Sequence, residues 1–163
     1  MGRVFFDTRE HTHEITAATT AYQCLDSDSN KKFILNTASA TVITLPADAD
    51  MEIGWNISLV VALAPAGGVA IKCTDLTNTT GQMFIGGANV QAIAATAAST
   101  FQGYIAAAGD DSQLLLDSDL AHNEATVGTN LTIMKTAAGK FMVTGHVATL
   151  DVDGNGSAIF SNI

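Results

Sequence analysis

The residue types and spacing best suited to chemistry are in Asp151-Val152-Asp153-Gly154-Asn155-Gly156. Oxygen donors at Asp151, Asp153 and Asn155, with a glycine at the sharp turn, match the first half of a calcium loop. The match stops there, because the twelfth position is Asn162 instead of a bidentate glutamate and the flanks read as strands. Asp-Gly and Asn-Gly are also the pairs that tight hairpin turns use. A turn with no cofactor is therefore expected, with calcium on Asp151, Asp153 and Asn155 as the alternative. Asp26, Asp28 and Asn30 repeat the pattern more weakly, without glycine. In Glu10-His11-Thr12-His13-Glu14, two imidazoles share one face if the segment is a strand, a spacing that can chelate zinc. A solvated polar arm accounts for the same residues.

Catalytic signatures are missing from the sequence. It has no Gly-x-Ser-x-Gly elbow, no phosphate-binding loop and no dinucleotide fingerprint. His122 and His146 stand near no Ser or Cys nucleophile motif, and most carboxylates fall in turns. One Trp and two Tyr are too few for a typical sugar-stacking platform. The chain reads as non-enzymatic.

Composition narrows the partners. Seven Lys and Arg against sixteen Asp and Glu give a formal charge of −9. Nucleic-acid binding needs a basic surface to displace counterions, and anionic membranes attract basic segments, so neither partner is expected. Only 14% of residues are charged while 47% are hydrophobic, the reverse of a disordered composition. So few charges suit a protein that hides further surface in an oligomer. The amino terminus lacks the apolar core of a signal peptide, and no run is long enough to span a membrane. Synthesis in a cytoplasm is expected. Cys24 and Cys73 read as buried thiols, with a bridge between them left open.

The elements are β. Short apolar bursts at Phe33–Leu35, Val42–Leu45, Ile57–Leu63, Val69–Cys73 and Met83–Ile85 alternate with turn clusters at roughly regular short intervals, the rhythm of an antiparallel sandwich. Four hairpins are expected: Tyr22–Leu25 with Lys32–Asn36, Asn56–Leu63 with Val69–Cys73, Leu131–Met134 with Phe141–Val143, and His146–Val152 with Ser157–Phe160. Pro46 suits a strand end, and residues 47–52 suit a turn or single helical turn. Gly86-Gly87 reads as a break or bulge and Gly145 as a bulge. Residues 1–20 read as an extended arm, in which Val4, Phe5 and Phe6 can dock on a neighbour. Trp55 reads as a core or subunit-interface anchor.

Thr44-Leu45-Pro46-Ala47, Gly54-Trp55-Asn56-Ile57, Gly68-Val69-Ala70-Ile71 and Ile85-Gly86-Gly87 follow one another in an order that resembles a β module of tailed-phage virion proteins. Gly139-Lys140-Phe141 stands where such modules usually close on Gly-x-Trp. The resemblance spans about a third of the chain and carries over no functional residue. It implies a virion structural protein, and the chain's size implies a capsid decoration (cement) protein. Such a protein would sit on the capsid surface as a homotrimer, with the major capsid protein as its partner. Alternatives are a tail-fibre or spike module and a carbohydrate-binding, adhesin-like β domain. The expectation is one domain: an arm over residues 1–20, then an all-β sandwich or jelly-roll-like fold over residues 21–163.

Overall fold

A computed structural model describes residues 11–16, 20–74, 81–93, 100–107, 111–116, 126–150 and 159–161. Twelve strands occur among them: β1 (His11–Ile15), β2 (Ala21–Gln23), β3 (Lys31–Asn36), β4 (Thr41–Thr44), β5 (Asn56–Leu63), β6 (Val69–Lys72), β7 (Met83–Ala92), β8 (Thr100–Ala106), β9 (Gln113–Leu116), β10 (Asn130–Ala137), β11 (Lys140–Thr149) and β12 (Phe160–Ser161). Among the described residues the helical content is two single 3-10 turns, Asp26–Asp28 and Asp48–Asp50. No helix among the described residues is long and apolar enough to cross a membrane.

The strands form two facing sheets of a β-sandwich, as the rhythm of apolar bursts predicts. One sheet has seven strands in the order β1-β3-β5-β10-β11-β7-β8, and the other has five in the order β12-β9-β6-β4-β2. Alternation drives this arrangement, because successive side chains in a strand point to opposite faces. Thus Phe33 and Leu35, then Ile57, Leu59 and Val61, then Val69 and Ile71 enter one shared core.

The pairing differs from the antiparallel expectation. From β1 to β6 the chain switches sheet at every strand, so each strand lies parallel to the strand two before it. β1, β3 and β5 are parallel neighbours in the larger sheet, and β2, β4 and β6 in the smaller. The result is a two-sided coil of three turns, in which His11 lies level with Lys31 and Lys31 level with Ile57 along the larger sheet. A parallel pair needs a long crossover, and here the intervening strand of the opposite sheet supplies it.

Two expected hairpins are therefore corners between sheets: β2 and β3 lie in different sheets, and so do β5 and β6. Ala64-Pro65-Ala66-Gly67-Gly68 crosses the sandwich and stacks on the corner below, with Ala66 N–H donating to the Ala38 carbonyl at 2.8 Å. A Cβ on Gly67 would sit 2.5 Å from that of Ala40. The β10–β11 hairpin forms as expected. The last expected hairpin does not, because β12 pairs with β9 in the opposite sheet from β11.

Three further readings shift. Gly86-Gly87 lies inside β7 instead of breaking it. Gly145 is no bulge, since the β10–β11 register runs through it unshifted. Its φ of +143° and a virtual Cβ 2.3 Å from the Asn130 carbonyl oxygen show that close strand approach requires the glycine. The sandwich also includes residues 11–15 of the expected arm, because β1 is hydrogen-bonded beside β3 and Ile15 is fully buried. Of the expected arm, residues 1–10, with Val4, Phe5 and Phe6, lie outside the described residues.

Candidate functional site

Because the β2–β3 and β4–β5 corners of the coil stack on one end, polar side chains distant in sequence meet there. This end carries the turns Asp26–Asp28 and Asp48–Asp50, the start of β5 and the β10–β11 turn. Each 3-10 turn has the pattern Asp-x-Asp, and in each one aspartate clasps a lysine of a neighbouring strand.

Asp28 is the clasping residue of the first turn. Its carboxylate takes the Lys31 ammonium, the Tyr22 hydroxyl at 3.1 Å and the Leu25 N–H at 2.9 Å. Burial by itself would raise this carboxyl, but the Lys31 ammonium and the Leu25 N–H outweigh it and hold Asp28 below the usual carboxylate range. Lys31 shows the mirror image. Burial works against its charge, and the bonds to Asp28 and Tyr22 prevail and raise it. Burial and then the Asp28 charge push the Tyr22 phenol up. The His13 ring lies 4.6 Å from Tyr22 and 5.6 Å from Phe33, closing the core beneath the cluster.

Asp48 is the clasping residue of the second turn. Lys135 continues the inward row of Leu131 and Ile133 on β10, and only 5% of it is exposed. Its ammonium donates to the Asp48 carbonyl at 2.7 Å and the Met51 carbonyl at 2.8 Å, and meets the Asp48 carboxylate at 2.8 Å. Gly139 N–H donates to that carboxylate at 2.8 Å. Burial would raise Asp48, but the Lys135 and Gly139 bonds lower it. A buried ammonium must have its donors satisfied, and this one has a full set of acceptors.

Between the two turns lies a cleft of about 400 Å³ lined by Gln23, Cys24, Leu25, Asp26, Pro46, Ala47, Asp50 and Thr74. Cys24 and Pro46 are buried in its floor, while Asp26, Asp50 and Leu25 stand exposed at its rim. Burial and then the Asp28 charge push the Cys24 thiol up to about 12, so it is protonated and unreactive at neutral pH. Cys24 and Cys73 are buried, are not joined in a disulfide, and flank Leu45 from opposite sides. Two strand spacings, about 9–10 Å, separate them, beyond the reach of a disulfide.

The sequence-predicted residues do not converge here. Asp151, Asp153 and Asn155 lie outside the described residues, so the calcium loop is not placed. Asp28 is spent on its lysine, and the Asn30 side-chain oxygen accepts from Asn56 at 3.0 Å, so Asp26, Asp28 and Asn30 form no common cation cage. Among the described residues no group of three or more His, Cys, Asp and Glu could hold a metal ion. Trp55 packs in the chain's own core, 3% exposed, and its indole N–H donates to the Asp26 carbonyl at 3.1 Å. That is one of the two placements read from the sequence, and it leaves almost none of the indole for a partner. Sequence reasoning missed both clasps. The repeated Asp-x-Asp in two short turns was the available signal.

A second surface lies at the opposite end of the larger sheet. Leu63 ends β5, Val127 precedes β10, Leu150 follows β11 and Ile93 follows β7. These are four adjacent strands, and each of the four side chains is between 36% and 50% exposed. Compared with protein-family models, with curated proteins and with solved structures, the chain matches none.

Proposed function

We propose that this chain is a non-enzymatic virion structural protein, a capsid decoration protein that binds the outer shell of a phage head as a homotrimer and stabilises it. The observation that carries the reading is the apolar end formed by Leu63, Ile93, Val127 and Leu150. Single exposed aliphatics are ordinary on a monomer, but four on adjacent strand ends form a surface suited to a protein neighbour. The order of β motifs from Thr44 to Gly87, which resembles that of tailed-phage virion proteins, supports the same reading. So does the acidic charge of −9, which disfavours nucleic acid and anionic membrane as partners.

In this reading the apolar end faces the major capsid protein or sister subunits, and the acidic remainder faces solvent. Binding an assembled shell stabilises it by mass action and needs no chemistry. The chain would be made in the host cytoplasm and leave on the particle surface. Immunogold electron microscopy of particles from a producing culture tests this. Gold on heads is the expected result. Gold on tails would move the chain to the fibre class, and unlabelled particles would overturn the virion reading.

A further inference from the structure

We propose that the cleft between the turns Asp26–Asp28 and Asp48–Asp50 is a docking site for an arginine or lysine side chain presented by a protein partner. This proposal is independent of which particle, if any, the protein occupies. It starts from an asymmetry within the two turns. Asp28 and Asp48 are each neutralised by a lysine of this chain, whereas Asp26 and Asp50 form no ion pair among the described residues. Both of these uncompensated carboxylates line the same cleft, together with Leu25, Pro46 and Ala47.

Solvated acids in turns are common and mean nothing alone. The distinction here is the combination with an apolar floor of Cys24 and Pro46 and an apolar wall of Leu25, 59% exposed. No cation of this chain lines the cleft among the described residues. Long cationic side chains bury an apolar stem while keeping the charged head near water, which fits such a lining. The volume of about 400 Å³ accommodates one such side chain with room for part of the backbone that presents it. The Gln23 amide donates to the Leu45 carbonyl at 3.1 Å, so the polar wall of the cleft is held in place before a ligand arrives. A bare divalent ion fits less well, because two rim carboxylates and a protonated thiol offer too few oxygen ligands.

Trp55 supplies the readout. It is the only tryptophan, and it bonds the Asp26 carbonyl from inside the core. The intact chain is titrated with acetyl-arginine amide, acetyl-lysine amide and acetyl-citrulline amide while Trp55 emission is followed. Citrulline keeps the shape of arginine and lacks its charge. The expected result is a saturable change with arginine or lysine, at least about tenfold weaker with citrulline, and weakened by salt. In the Asp26→Asn, Asp50→Asn double variant, arginine affinity falls about tenfold or more. Should that variant not fold, the arginine-to-citrulline ratio in the unaltered protein decides alone. Equal binding of citrulline, absence of any saturable change, or a calcium chloride titration that produces the same change and blocks arginine would each overturn the proposal.

Discussion

Replacing Lys135 by methionine probes the second clasp directly. Methionine keeps most of the apolar stem and deletes the ammonium, so packing on β10 is largely preserved. The deletion strips the donor from the Asp48 carbonyl, the Met51 carbonyl and the Asp48 carboxylate, bonds of 2.7 to 2.8 Å. Removing one partner of a buried ion pair costs about 3–5 kcal/mol. The Asp48 side chain is 32% exposed and keeps the Gly139 N–H, so water recovers part of the loss. The lower end, about 3 kcal/mol, is expected. For a chain of this size that lowers Tm by about 6–12 °C. Urea unfolding followed by Trp55 emission, with circular dichroism for Tm, measures it. Asp48→Asn should cost a comparable amount, about 3 kcal/mol, because it leaves the buried Lys135 ammonium without a countercharge even though the amide oxygen still accepts from Gly139. The pH profile gives an independent check. Asp48 is lowered in the fold, so its contribution is complete above the ordinary carboxylate range and is lost as pH falls through the folded value. That acid-side component should shrink in Lys135→Met, where only the Gly139 N–H still lowers Asp48. A loss below about 1 kcal/mol with an unchanged acid limb would refute the clasp as a stabilising element.

Gly145→Ala should cost roughly 3 kcal/mol, at the upper end for a single substitution, because a Cβ there has no room. The added atom would meet the Asn130 carbonyl oxygen at 2.3 Å. Gly54→Ala, at φ +98° with nothing within 4 Å, should cost only about 1 kcal/mol; comparable losses in urea melts would contradict the close-approach account. Tyr22 and Lys31 are both raised in the fold, so stability present below their unfolded values should decline as pH climbs through the folded ones. Tyr22→Phe should flatten part of that alkaline limb in pH-dependent melts. Neither thiol should react with a disulfide reagent until urea unfolds the chain, and rapid native labelling of Cys24 would contradict its burial.

The alternation in Asn56–Leu63 and Val69–Cys73 is enough to read each strand and its buried face. It does not reveal the partner, because Ala64-Pro65-Ala66-Gly67-Gly68 serves equally as a hairpin loop or as a corner between sheets. Partner choice here was decided across the stack, where Val69 and Ile71 lie level with Thr41 and Ile43, one full turn of the coil earlier. Lys135 illustrates the other gap. A lysine after Leu131–Met134 reads as the wet end of a strand, and its carbonyl acceptors on Asp48 and Met51 belong to a distant corner of the chain. Trp55 was readable as an anchor because a lone indole at a strand start has few other uses. Its hydrogen bond to Asp26 was not, since that partner sits a full coil turn before it.

The switching of sheets at every strand from β1 to β6 also governs how the chain reaches its fold. No two consecutive strands in that stretch pair with each other, so no early hairpin can form and hold. On the ribosome β3 emerges beside β2 but must wait until β5 has been made, with β4 in between, to gain its inner neighbour. Each closure carries the entropy of a loop spanning one whole coil turn before any ladder bond is gained. High contact order of this kind slows folding. Until β10 arrives to flank β5, the nascent coil exposes an unpaired edge, and that interval is when the chain is most open to pairing with another copy of itself.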